Sequence, residues 1–307
     1  MAATERRGQD RLRTWTGRSG LDRGDEARPG QASPAHLVSR SWQAAAVGSW
    51  DDQQYLKFAD ERTRPSRELL ARVPVAEAAR VVDLGCGPGN STALLRARWP
   101  GARVTGVDSS PEMLARARQG GFDIGTAGGP DIEWIEADVK TFRADGPVDV
   151  LFANAVLHWL PQHDVVFPAL LEQLRPGGAL AVQMPESFHE PSHRLMRELD
   201  GPWRARTRAL SAAPPVASAA AYYDLLAPRA RYVDIWRTTY EHVMPDAAAI
   251  VEWVRGTGLR PTLDALRPGE RPAFLTAYTQ AIAAAYPPRA DGKRLFSFPR
   301  LFIVAVR

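Results

Sequence analysis

The stretch Asp83-Leu84-Gly85-Cys86-Gly87-Pro88-Gly89 constrains this chain more than any other. It follows Arg80-Val81-Val82, the start of a short apolar run that reads as a strand, and precedes Asn90-Ser91-Thr92, which reads as the cap of a helix through Leu94, Leu95 and Trp99. Glycines at i, i+2 and i+4 let the backbone turn sharply off a strand and let a ligand come close to it. The same strand–helix unit recurs. Residues 102–107 form a second strand ending at Asp108, and Ser110-Pro111-Glu112 opens a second helix. Residues 132–137 form a third strand ending at Asp138, and residues 148–153 a fourth ending at Asn154. A helix closes over 171–174, Arg175-Pro176-Gly177-Gly178 is a turn, and 179–184 is a fifth strand. Upstream, Pro65 sits in the first turn of a helix through Glu68, Leu69, Leu70 and Val73. Strands alternating with helices predict an α/β fold, a mostly parallel sheet with helices on both faces.

After Met184 the rhythm changes. Residues 190–285 read as mainly helical, with a strand-like piece at 232–240, an Ala/Pro-rich stretch at 212–221 and a last strand at 301–306. A segment that leaves the sheet and returns at the end of the chain is an inserted cap. We therefore expect a core over 49–185 completed by strands near 232–240 and 299–306, with a cap over about 186–295. Residues 1–48 show no sustained period and read as a disordered extension, or as an upstream reading with the true start near Val47. No apolar run follows Arg6-Arg7, so we expect no export signal.

Composition narrows the classes further. The chain is 45% hydrophobic over 307 residues, with a net charge of +4, which excludes disorder for most of it. Residues 1–48 hold 8 Arg and 5 acidic residues, so the remainder is nearly neutral and we expect no nucleic-acid partner. No apolar run reaches the ~18 residues of a membrane span. The lone Cys86 excludes an internal disulfide and a Cys-based zinc site, and it fits a cytoplasmic protein. We expect no metal, and a monomer.

The dinucleotide fingerprint has glycines at i, i+2 and i+5, which bring a pyrophosphate to a helix N-terminus. Gly85, Gly87 and Gly89 fit instead the tighter loop that borders S-adenosylmethionine, which carries no phosphate. Asp83 then lies near the amino-acid end of that cofactor. Asp108, ending the second strand, accepts from ribose hydroxyls or simply caps the following helix. Asp138 lies beside the adenine, and Asn154 faces the same crevice. Ligands of open α/β sheets bind at these carboxyl ends of the strands.

With these residues in place, the chain resembles the class I S-adenosylmethionine-dependent methyltransferases, and within them the family that methylates trans-aconitate. The resemblance runs from about Trp50 to Arg307. It rests on residues 55–65, the loop 83–92 and the block 104–113. More specific are Ala181-Val182-Gln183-Met184-Pro185, residues 190–198, Ala221-Tyr222-Tyr223-Asp224, residues 233–240, Gly256-Thr257-Gly258-Leu259-Arg260-Pro261 and residues 298–304. The resemblance implies a Rossmann-like, seven-stranded, mostly parallel sheet. It implies a cofactor crevice that also includes Cys86, Asn90, Ser109, Met113, Val139 and His158. Tyr55 and Arg64 contact the methionyl carboxylate, or Arg64 pairs with a surface acid. Trp159 covers the adenosine or belongs to the core. Where the family more usually has Gln, this chain has His158; the Gly-rich stretch 120–130 is longer than the family pattern, and residues 1–48 have no counterpart in it.

Methyl transfer to a carboxylate needs no general base, because a group with a pKa near ~4 is already ionised at neutral pH. No catalytic residue in that sense is expected. A tricarboxylate does demand cations, and the guanidinium fork suits it. In the cap and tail, Arg260 and Arg300 are the candidate clamps, ahead of Arg194 and Arg237, although in a chain with 36 Arg any one of them is also read as a surface charge. Tyr240 and Trp253 wall the substrate pocket or pack in the core. His193 and His242 read as structural or surface residues. The competing readings are a methyltransferase for another small acid or a natural-product hydroxyl, a nicotinamide-dependent oxidoreductase, which the glycine spacing disfavours, and a non-catalytic cofactor-binding regulator.

Overall fold

The computed structural model describes residues 59–120, 130–210 and 216–307, with side chains from Thr63 onward. The N-terminal extension, Tyr55 and most of the Gly-rich stretch lie outside the described residues. The elements run α1 (Ala59–Ala71), β1 (Arg80–Leu84), α2 (Asn90–Arg98), β2 (Arg103–Asp108), α3 (Pro111–Gln119), β3 (Glu133–Glu136), β4 (Val148–Asn154), α4 (His163–Leu171) and β5 (Leu174–Pro185). They continue with α5 (Pro191–Glu198), α6 (Arg204–Ala209), α7 (Ala219–Leu226), β6 (Tyr232–Met244), α8 (Ala247–Arg255), α9 (Arg260–Ala265), α10 (Arg271–Ala285) and β7 (Arg294–Val306).

The strands form one seven-stranded sheet in the order β3-β2-β1-β4-β5-β7-β6. Strands β1 to β5 pair in parallel. The last strand slots between β5 and β6 and runs antiparallel to both. Alternation along each strand divides its apolar side chains between two faces. Val81, Val150, Phe152, Ala179, Ala181 and Phe302 pack with Leu69 and Leu70 of α1 and Leu95 of α2. Val82, Leu151, Leu180, Val182 and Ile303 pack with Phe167 and Leu170 of α4 and Tyr222 and Leu226 of α7. Full burial of side chains of this size contributes roughly 1.5–3 kcal/mol each, so both faces are strongly held. A third cluster joins Met196 of α5, Ile250, Trp253 and Val254 of α8, and Phe274, Tyr278 and Ile282 of α10 to Met244, Phe296 and Phe298 on the outer ends of β6 and β7. We call this cluster the cap; the outer ends of β6 and β7 run into it. No helix among the described residues is long and apolar enough to cross a membrane.

Several local expectations need correction. Pro65 lies inside α1, which starts further upstream than expected. Arg175-Pro176-Gly177-Gly178 is not a turn before the fifth strand but an irregularity within it, where the β4 register shifts between Val148 and Val150. Gly178 is pressed there against three carbonyl oxygens that a Cβ would meet at 3.0 Å, and its own carbonyl accepts from Arg307 N–H at 2.9 Å. Strands β6 and β7 run well beyond 232–240 and 301–306 because their outer ends serve the cap. Helix α7 packs on the sheet rather than in the cap cluster. Its Tyr222 hydroxyl donates to His163 Nδ1 at 2.7 Å, while His163 Nε2–H donates to the Leu157 carbonyl at 2.9 Å.

Candidate active site

The glycine loop is held by its own backbone. Cys86 N–H donates to the Val107 carbonyl at 3.0 Å, and Gly87 N–H donates to Asp108 Oδ2 at 2.9 Å. Asp108 Oδ1 accepts from Ser110 N–H at 2.9 Å, so one carboxylate ties the loop to the start of α3. Gly85 has φ +65°, and a Cβ there would lie 2.3 Å from Val156. Gly87 has φ +54° and faces open space within 4 Å, as a loop that receives a ligand requires. Gly89, not Asn90, caps α2, in the left-handed region. Ser91 and Thr92 therefore do not cap; their hydroxyls donate to Asp83 Oδ2 at 2.7 and 2.6 Å. Asp83 is fully buried, and burial pushes its carboxyl up to about 7 despite those hydroxyls. Cys86 is buried and its thiol is pushed well above the usual range, so it stays protonated.

Asp83, Asn154, Gln183, Arg300 and Tyr240 lie on the same face of five adjacent strands, β1, β4, β5, β7 and β6. Register makes them a diagonal row. Asp83 pairs with Phe152, two residues before Asn154. Asn154 pairs directly with Gln183. Arg300 pairs with Pro185 on one side and Thr238 on the other, one same-face step beyond Gln183 and one before Tyr240. Arg300 Nη1 donates to Gln183 Oε1 at 3.3 Å, and its guanidinium lies 4.6 Å from the Phe298 ring centre. Tyr240 donates to Glu68 Oε2 at 2.7 Å, under the Arg64 guanidinium at 4.9 Å.

Four buried polar atoms along this row and the loop beside it have no hydrogen-bond partner among the described residues: Asp83 Oδ1, Asn154 Oδ1, Gln183 Nε2 and His158 Nδ1. Other unpaired buried atoms, such as Trp203 Nε1 and Arg294 Nε, are scattered through the molecule, but these four gather near the carboxyl ends of adjacent strands, where open α/β sheets bind their ligands. Their order matters. Acceptors stand at the Asp83 end, and amide and guanidinium donors at the Arg300 end. His158 projects from a short turn, Leu157–Trp159, that follows a strained Ala155 at φ +55°. Burial, with Arg300 nearby, pushes its imidazole down to about 3, so it is neutral.

Other expected residues divide. Ser109 and Asp138 are exposed beside the strand ends; Met113 and Val139 are buried beneath them. Asp138 Oδ1 accepts from Lys140 N–H at 2.8 Å. Trp159 is 45% exposed, so in this structure it is no core residue. Arg64 pairs with Glu68 at 2.9 Å, the surface-acid alternative. Arg260 opens α9, and its ion-pair partner is Asp264 at 3.9 Å. Trp253 is enclosed by His242, Phe296 and Phe298 and packs as a cap core residue. One residue at the site was not anticipated: Gln183 interrupts the apolar run 179–184, a signal that could have singled it out. His193, expected to be structural or surface, packs with Ser192 and Phe298 and against the Gly258 backbone, and burial pushes its imidazole down to about 4.

A family model described as a methyltransferase domain matches residues 81–178. The chain is 64% identical to the trans-aconitate 2-methyltransferase of Azoarcus sp. over 84% of its own length and 99% of that protein. It is 53% identical to the protein of the same name from Methylobacterium radiotolerans, over 84% of this chain and 98% of that one. Among solved structures, the YcgJ protein of Bacillus subtilis shares the fold with a TM-score of 0.50 at 12% identity, over 80% of this chain and 98% of that one. At such identity over nearly the full length of its relatives, and with the sheet order and crevice described above, this chain belongs to the trans-aconitate 2-methyltransferase family of class I S-adenosylmethionine-dependent methyltransferases.

Proposed function

We propose that the chain transfers a methyl group from S-adenosylmethionine to one carboxylate of trans-aconitate, giving the monomethyl ester and S-adenosylhomocysteine. The observation that carries this reading is the polarity of the row: orphaned acceptors at Asp83 and Asn154, donors at Gln183 and Arg300. Acceptors suit a ligand bearing an ammonium and a sulfonium, and donors suit a polycarboxylate. When bound, S-adenosylmethionine supplies an electrophilic methyl carbon; the carboxylate oxygen bonds to it as the sulfur–carbon bond breaks and the electron pair stays on sulfur. No proton moves.

The chain's own residues have three tasks in this reading. The glycine loop and Asp108 border the cofactor, with Asn90, Ser109, Met113, Asp138 and Val139 around the crevice and Trp159 over it. Arg300 holds a carboxylate of the acceptor, and the neutral His158 supplies a hydrogen-bonding group without adding charge. Arg260 stands two residues beyond Gly258, which packs on His193, and we assign to it the second cation that a tricarboxylate needs. Alignment of this kind is worth up to roughly 7–11 kcal/mol of barrier in favourable cases. The nearly neutral charge outside residues 1–48 supports a small-molecule partner and no nucleic acid. We read the chain as a cytoplasmic monomer.

The test is turnover with methyl-labelled cofactor against trans-aconitate, cis-aconitate, isocitrate, citrate and monocarboxylates. We expect base-labile label chiefly on trans-aconitate. Cofactor binding without label on any carboxylate would overturn the acceptor and leave the fold standing.

A further inference from the structure

We infer that Gln183 orients the methyl-accepting carboxylate by donating from Nε2 to the oxygen that does not react. The inference rests on the carboxyl-methylation reading above and gives it a second acceptor-side group. Gln183 is completely buried, on a strand whose neighbours Ala181, Val182 and Met184 are apolar and buried with it. Burying an amide there is costly unless both of its ends are satisfied. One end is: Arg300 donates to Oε1, and this contact turns the NH₂ group away from Arg300. The other end has no acceptor among the described residues.

Asn154, directly opposite on β4 and on the same face, carries a buried Oδ1 that lacks a donor. Neighbouring strands lie about 4.7–4.9 Å apart, close enough for two facing amides to join. A donor and an acceptor that stand side by side and do not pair are each left for another group. On the reading above, the oxygens of Asp83 and Asn154 serve the cofactor and the donors of Gln183 and Arg300 serve the acid, so Gln183 stands where the two molecules meet.

The choice of a neutral amide at this point has a chemical reason. A guanidinium on the reacting carboxylate would draw charge from the oxygen that must attack. An amide hydrogen bond to the second oxygen fixes the direction of the free lone pair at less cost to its basicity. Arg300, one step further along the row, then takes a different carboxylate of the same molecule. Gln183 thus sets orientation and Arg300 sets affinity.

The experiment compares Gln183→Met, Gln183→Glu and Arg300→Met with the wild-type enzyme. A hydrogen bond to a charged acceptor converts to about a 10–100-fold effect. We expect Q183M to lower kcat for trans-aconitate by about that factor with little change in KM, while R300M raises KM. The dissociation constant of S-adenosylhomocysteine, read by titration calorimetry, should stay within about threefold of wild type in Q183M. We expect Q183E to be nearly inactive at pH 8 and to recover as pH falls, because a protonated carboxyl regains the donor. Wild-type kcat and KM in Q183M, or a loss confined to cofactor affinity, would overturn the inference. If Q183M does not fold, a flat pH profile for Q183E would overturn it instead. Should the wild-type enzyme bind cofactor yet label no carboxylate, the functional reading itself fails, which is a different result from a wild type that turns over and a Q183M variant that matches it.

Discussion

Gly85 and Gly87 share a left-handed backbone but face different surroundings, and the difference separates folding from binding. A methyl group at Gly85 drives into Val156, which follows the strained Ala155 and leads into the turn carrying His158. We expect Gly85→Ala to destabilise the fold by about 1–3 kcal/mol, seen in denaturant unfolding without ligand. At Gly87 nothing blocks the methyl group, so the backbone cost is about 1 kcal/mol. The larger effect of Gly87→Ala should be weaker cofactor binding, at least tenfold by calorimetry, because the added carbon stands where the ligand approaches. Equal losses of stability and affinity in the two variants would show that the loop does not face a ligand.

Helix α1 reaches the Tyr240 end of the row, and its attachment there is polar: Tyr240 to Glu68, and Glu68 to Arg64. We expect Tyr240→Phe to cost about 1 kcal/mol in unfolding free energy, the worth of one hydrogen bond plus the burden left on Glu68, and to raise KM for the acceptor more than that for the cofactor. The elements up to β5 were legible in the sequence because their signals are local: an apolar run, a polar residue at its end, a glycine or proline after it. The loop and Asp108 follow from spacing alone. What was not legible depends on distant partners. Ser91 and Thr92 look like caps until Asp83 is seen beneath them. Arg175 to Gly178 reads as a turn until β4 and the C-terminal Arg307 are seen to pair with it. Arg300 was singled out by residue type among many arginines, but Gln183 at its side was not, since their contact exists only because β7 inserts next to β5. Trp253 was open between pocket and core; the cap cluster around it decides for core.

Among the described residues, burial pushes four imidazoles down: His158 to about 3, His193 and His242 to about 4, and His163 in the same direction. In the unfolded chain each takes a proton near pH 6.5, so unfolding binds protons between about pH 6.5 and 4 and stability falls on acidification. Asp83 opposes this, because its carboxyl stays protonated in the fold up to about 7 but ionises near 4 when unfolded. Glu190, whose carboxyl burial also raises, opposes it too, and four imidazoles against two carboxyls leave a net uptake on the order of two protons across that window. Unfolding free energies measured from pH 7 to pH 4 should therefore decline, and His158→Gln should reduce the slope by about one proton. A slope that is flat or of opposite sign would show that these imidazoles are not held neutral.

The place of β7 between β5 and β6 also sets an order in time. A ribosome completes the glycine loop, Asp108 and Asn154 early, and reaches Arg300 almost at the end of 307 residues. Until then β5 and β6 both present open edges to a slot that the final strand must fill, and such edges are where unfinished sheets stick to one another. A chain stalled or clipped before Arg294 would keep Asp83, Asn154 and Gln183 and lack Arg300 and the strand that seats it beside them. On the roles proposed above, the last strand made is the one that completes the site.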